Sequence, residues 1–164
     1  MATKTIDRSP PTVPASRSYK DDLFGWVEDQ VALLKAGQLS EVDAANIAEE
    51  LADVGGEQYD KLASAVRVVL IHLLKWDHQP ERRSRSWVLS VGEHRRRIAR
   101  VLKKNPSLRP SIDDAIDEAY EDARGDAIRE TALTADTFPT ICPYIWDDIL
   151  NRKIAFDDTQ SPDR

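Results

Sequence analysis

At 164 residues the chain has room for one domain with a substantial core, since a domain of this size removes roughly 70% of its unfolded surface from water. Its 41% hydrophobic and 32% charged residues exclude a disordered chain, and a net charge of -6 argues against a general nucleic-acid binder, which is usually basic. One cysteine, Cys142, excludes an internal disulfide and a multi-cysteine zinc site, and fits a reducing compartment.

Prolines at 10, 11, 14, 80, 106, 110, 139, 143 and 162 punctuate the chain, and the stretches between them read as helices. No segment alternates with period two, so strands are not expected. Residues 1–18 and 151–164 read as tails around a helical domain spanning 19–150.

The first helix is expected from about Tyr19 or Asp21 to Ala36, stopped by Gly37, with Leu23, Trp26, Val27, Leu33 and Leu34 as its buried face. A second begins near Ser40, where Ser40 and Asp43 suggest a capping box. Its apolar stripe is Ile47, Leu51 and Val54, and Gly55-Gly56 ends it. The third, about 57–76, is the expected central helix. Leu62, Val66, Val69, Leu73 and Trp76 follow the 4-3-4-3 spacing of a bundle seam, while Val68, Leu70, Ile71 and Leu74 cover most of the remaining surface.

After Pro80 a fourth helix runs from about Ser84 to Lys104, with Trp87, Val88, Val91, Ile98, Val101 and Leu102 inward. A fifth, Leu108 to Leu133, carries the stripe Ile112, Ile116, Ala119, Ala123 and Ala127. A short C-terminal helix spans Tyr144 to Leu150 with Pro143 at its start. Long helices on short loops must turn back on one another, so the expected fold is an all-α antiparallel helical bundle of about five main helices plus the short one.

Several separated runs carry a family resemblance: HLLKW (His72 to Trp76), QPERRSRSW (Gln79 to Trp87), HRRRIARVL (His94 to Leu102), NPSLRP (Asn105 to Pro110) and FPTICPYIWDDIL (Phe138 to Leu150). With Leu23 to Leu51 upstream, they resemble the bacterial family called domain of unknown function 29 over about residues 19–150. The resemblance implies an all-helical fold and brings no activity, cofactor or catalytic residue with it.

Charge is segregated. Glu81 to Lys104 holds nine Arg/Lys against two Glu, and Arg109 to Glu130 holds eight Asp/Glu against three Arg. Pairing of the basic helix with acidic neighbours is the simplest account. Arg82, Arg83 and Arg85 nonetheless stand near a helix start, where the dipole favours anions. Together with Ser84 and Ser86 they form a candidate anion site. The nine bases from Arg82 to Lys104 can also track a nucleic-acid backbone, although no recognition motif accompanies them.

His72, His78 and His94, with Glu50, are a candidate polar or metal cluster, although no compact ligand spacing links them. Glu50 and Asp53, like Glu118 and Glu121, stand three apart, as do acids that hold magnesium against a nucleotide. Such spacings arise by chance in acidic helices. Cys142 before Pro143 reads as a small apolar plug, or as a thiol whose pKa a helix start lowers. The four tryptophans, Trp26, Trp76, Trp87 and Trp146, read as core.

The longest strongly apolar stretch, Val68 to Leu74, is far short of the ~20 residues a membrane span needs, and the N-terminus lacks a secretory signal's apolar region. A cytoplasmic location away from membranes is expected. The function favoured is a small helical interaction module binding another protein or its own copy. The alternatives are a small-ligand or nucleotide-processing enzyme using Arg82, Arg83 and Arg85 with Glu50 and His72, and a weak nucleic-acid binder through the fourth helix.

Overall fold

The structure, a computed structural model, describes residues 17–156. Residues 1–16 and 157–164, most of the two expected tails, lie outside the described residues. The described chain is helical: α1 (Leu23–Ala36), α2 (Ala44–His78), α3 (Arg85–Lys104), α4 (Ile112–Thr131) and α5 (Trp146–Asn151), with short 3-10 turns at Pro80–Arg82, Pro106–Ser111 and Ala135–Thr137. It divides into two compact units, one ending at Ala52 and the other beginning at Asp53.

In the first unit, Asp22 caps α1 by accepting from the Gly25 N–H at 2.9 Å. A side chain at Gly25 would collide with Asp22 and Arg17. Gly37 closes the helix at φ 73°, the left-handed region that glycine enters freely. The buried face is Gly25, Trp26 and Gln30. Gln30 Oε1 accepts from the Asp43 N–H at 2.8 Å, and Asp43 in turn accepts from the Asn46 N–H at 3.3 Å, capping the start of α2. Tyr19 lays its ring edge against Trp26, centroids 4.9 Å apart, and donates its hydroxyl to Glu50 at 2.8 Å. The expected buried face of α1 needs correction. Trp26 is buried and Leu33 half-buried, but Leu23, Val27 and Leu34 are exposed.

The second and third expected helices are one. α2 runs unbroken for 35 residues through Gly55 and Gly56. A glycine stops a helix by turning to positive φ, and among the described residues only Gly37 and Ala132 do so. Leu51 and Val54 of the expected stripe are exposed.

In the second unit, the latter half of α2 is the central rod that its spacing foretold. Leu62, Val66, Val69, Leu70, Leu73 and Leu74 have no measurable exposure. Val91, Ile98 and Leu102 of α3 and Ala115, Ile116, Ala119, Ala123 and Ala127 of α4 close around them. Long-range bonds give the directions. Gln58 meets Asn105, and Trp76 meets Arg83, so α3 runs antiparallel to α2. Tyr59 meets Glu118, Arg67 meets Asp122 and Lys75 meets Glu130, so α4 runs parallel to α2, as an up-down-up arrangement requires. The alanines of α4 leave room for its close approach.

The chain returns through Phe138, which is fully buried, to the six-residue α5, which begins at Trp146 rather than at Tyr144. Of the tryptophans, Trp26 and Trp76 are buried and Trp87 and Trp146 half-buried.

Candidate functional site

The nine bases from Arg82 to Lys104 divide into two sets. Arg83 and Arg95 serve the fold. Arg83 donates from Nε to the Trp76 carbonyl at 2.9 Å and stacks 4.8 Å above the Trp76 ring, satisfying the last turn of α2. Arg95 donates to the carbonyls of Ile149 (2.7 Å) and Asp148 (3.0 Å), closing the end of α5, and burial pulls its pKa down. The other seven, Arg82, Arg85, Arg96, Arg97, Arg100, Lys103 and Lys104, are exposed. The six within α3 fall in an arc of about 120° opposite Val91, Ile98 and Leu102. Glu93 sits among them, paired with Arg96 at 2.7 Å and Arg100 at 3.3 Å.

The expected match between this basic helix and acidic α4 is not made. Among the described residues no ion pair joins α3 to α4, and the acids of α4 are met from α2, through Arg67 and Lys75. Arg67 bridges to the buried Asp126, which Arg129 also contacts.

The anion candidates are thus only partly gathered. Ser84 is the N-cap residue of α3 and makes no capping bond through its side chain. Its hydroxyl pairs with that of Ser86 at 2.7 Å. Arg82 and Arg85 are exposed, and Arg83 is held at Trp76.

Among the described residues no group of three or more His, Cys, Asp or Glu side chains is placed to hold a metal. His78 lies edge-on to Phe138, with centroids 5.1 Å apart. His94 Nδ1 is 2.9 Å from the Ser90 carbonyl. Glu50 is held by Tyr19.

His72 faces Trp87, centroids 6.2 Å apart, and its buried Nδ1 has no hydrogen-bond partner among the described residues. Burial, helped by Lys75, pushes its pKa down to about 4. The unfolded imidazole titrates near ~6.5, so between these values the unfolded chain binds the extra proton. The contribution is therefore complete above about pH 6.5 and drains away as pH falls toward 4. Discounted for partial solvent access, it amounts to roughly 1–2 kcal/mol. Urea unfolding at several pH values is expected to give a flatter profile for His72→Gln than for the wild type by that amount. Parallel profiles would contradict this account.

A polar latch that the sequence did not suggest joins the end of α2 to the C-terminal segment. Tyr144 and Arg152 both donate to Asp77 at 2.8 Å. Burial acts to raise the Asp77 carboxyl, and these bonds outweigh it, leaving its pKa low. Arg152, which follows α5, is held in place by Asp77. Cys142 precedes α5 by several residues, and burial pushes its thiol up, against the expected lowering by a helix start.

Surface grooves lie among the described residues of this unit, three of them as follows. One of about 160 Å³ is lined by Asp60, Arg67, Glu118 and Asp122, one of about 440 Å³ by Arg124 and Cys142, and one of about 420 Å³ by Lys103, Arg109 and Trp146. None of the three is lined by Glu50, a histidine or the Arg82–Ser86 segment. Glu118 accepts from the Tyr59 hydroxyl at 3.0 Å.

The family model for Domain of unknown function DUF29 matches residues 18–155. The chain belongs to this family. No curated protein and no solved structure matches it. The DUF29 match spans both compact units and every helix, as the resemblance implied. Among the described residues no helix is long and apolar enough to cross a membrane.

Proposed function

We propose that the chain is a helical interaction module that docks protein on the outer face of α1. One observation carries this reading: Phe24 is 76% exposed, and Leu23, Val27, Val31 and Leu34 are each exposed by 41–47%. The five fall within an arc of about 100° on one helix, the width of a face that normally packs against a neighbour. Scattered exposed apolar residues need no explanation, whereas a contiguous stripe marks a contact surface. A cytoplasmic setting fits the single Cys142.

A benzophenone amino acid in place of Phe24 tests the reading, used with the purified chain and in cell extract. One dominant protein adduct is expected on illumination. It should disappear in a Val27→Lys/Val31→Lys variant of unchanged helix content. No adduct beyond that formed by benzophenone at the exposed Asp113 of α4 would refute it.

A second reading is favoured by the exposed basic face of α3: weak nucleic-acid binding through backbone phosphates. The net charge of -6 and the acidic α4 oppose it. Duplex binding that weakens steeply with salt, and that is weaker with a shallower salt dependence in Arg97→Ala/Lys104→Ala, supports this reading, and salt-independent or absent binding removes it.

A further inference from the structure

We infer that the occupant of the α1 face is a second copy of this chain, the two α1 helices pairing antiparallel about a two-fold axis. The inference rests on the docking reading above and names its partner.

Phe24, Val27, Val31 and Leu34 are spaced 3-4-3, the repeat that lets two helices interlock along a seam. Antiparallel pairing centred near Asp29 sets Phe24 against Leu34 of the second copy and Val27 against its Val31. The two small side chains then meet beside the axis, and the bulky ones close each end. Every layer is apolar, and the same patch serves both copies, as a closed two-fold contact demands.

Charge decides the orientation. Glu28 and Lys35 are seven residues apart and flank the same edge of the seam. In the antiparallel arrangement that edge meets its own copy, so Glu28 faces Lys35 of the second copy, twice by symmetry. Side chains lean toward the N-terminus of their helix, which brings these two toward each other. A parallel pair would instead set Glu28 against Leu23 and Gln30, neither of which carries charge.

Both charges are available. Lys35 is exposed and has no ion-pair partner among the described residues. Glu28 is 3.3 Å from Arg17, but Arg17 is held chiefly by Asp29, at 2.8 and 3.2 Å, and keeps that partner if Glu28 turns away. Four layers on a 14-residue helix make a small contact, so the dimer forms and dissociates with concentration.

Sedimentation of the full chain from about 1 to about 500 µM tests this, with far-UV circular dichroism as a folding control. A reversible monomer–dimer equilibrium is expected. Val31→Lys, which sets two ammonium groups at the centre, should weaken it by more than about 100-fold. Glu28→Lys and Lys35→Glu should each weaken it by about 3–30-fold, and the Glu28→Lys/Lys35→Glu double variant should recover most of the loss. A chain monomeric throughout, or a double variant no better than the singles, overturns the inference. If the benzophenone adduct contains a different protein while the purified chain stays monomeric, only the second copy falls and the docking reading stands. If neither adduct nor dimer forms, both fall.

Discussion

Phe138→Ala is expected to lower the unfolding free energy by about 3–5 kcal/mol, the range for emptying a well-packed aromatic site. Phe138 is 1% exposed and belongs to the core cluster, although it sits in a segment with no regular structure. Its neighbours cannot easily collapse into the space. Arg124 holds the Phe138 and Ala135 carbonyls at 3.1 and 2.8 Å, and the Tyr120 hydroxyl donates to the Pro139 carbonyl at 2.6 Å. The backbone on both sides of the ring is thus anchored to α4, and a cavity should persist. Urea unfolding followed by circular dichroism gives the number. A loss below about 1 kcal/mol would mean that this segment is not packed as described.

Asp126→Ala should rank next, at about 2–3 kcal/mol. Asp126 is buried on α4 and accepts from Arg67 Nε of α2 at 2.7 Å, with a second Arg67 nitrogen and Arg129 also in contact. Truncation strips Arg67 of its main partner and leaves Asp122 at 3.2 Å. The penalty stays below that of a sealed ion pair because Arg67 keeps partial access to water. The paired change Arg67→Met/Asp126→Leu separates attraction from stranded charge. It should cost less than the sum of its parts by at least about 1 kcal/mol. Simple additivity would show that the two side chains do not interact in solution.

Both effects lie where reading residues in order was least informative. The central rod was legible because residues 62–76 repeat an apolar pattern that only an enclosed helix tolerates, and α4 because its isoleucines and alanines recur at 3–4 residue intervals. The continuity of α2 was not. Two adjacent glycines read as a stop, yet glycine costs a helix only about 1 kcal/mol per residue and ends it only where the backbone turns left-handed.

The buried side of α1 was misread for a different reason. Apolar residues occupy more of that helix than its own unit covers, and buried Gln30 is satisfied by the distant Asp43 N–H, a bond that no local pattern announces. The candidate site was legible in composition alone. Nine bases on one stretch were countable, but Arg83 and Arg95 spend their guanidinium groups on carbonyls of other elements, which only folding brings within reach.

Gly55 and Gly56 have a consequence for how α2 breathes. A Cβ at either would meet nothing within 4 Å, so the space beside the backbone there is open. Each glycine lowers local helix propensity by about 1 kcal/mol, so the hydrogen bonds around this pair are expected to open more readily than those of the buried half of α2. Amide protons around residues 53–58 therefore swap with deuterium well before those of residues 62–74. α2 is thus expected to open from within its length as well as from its ends.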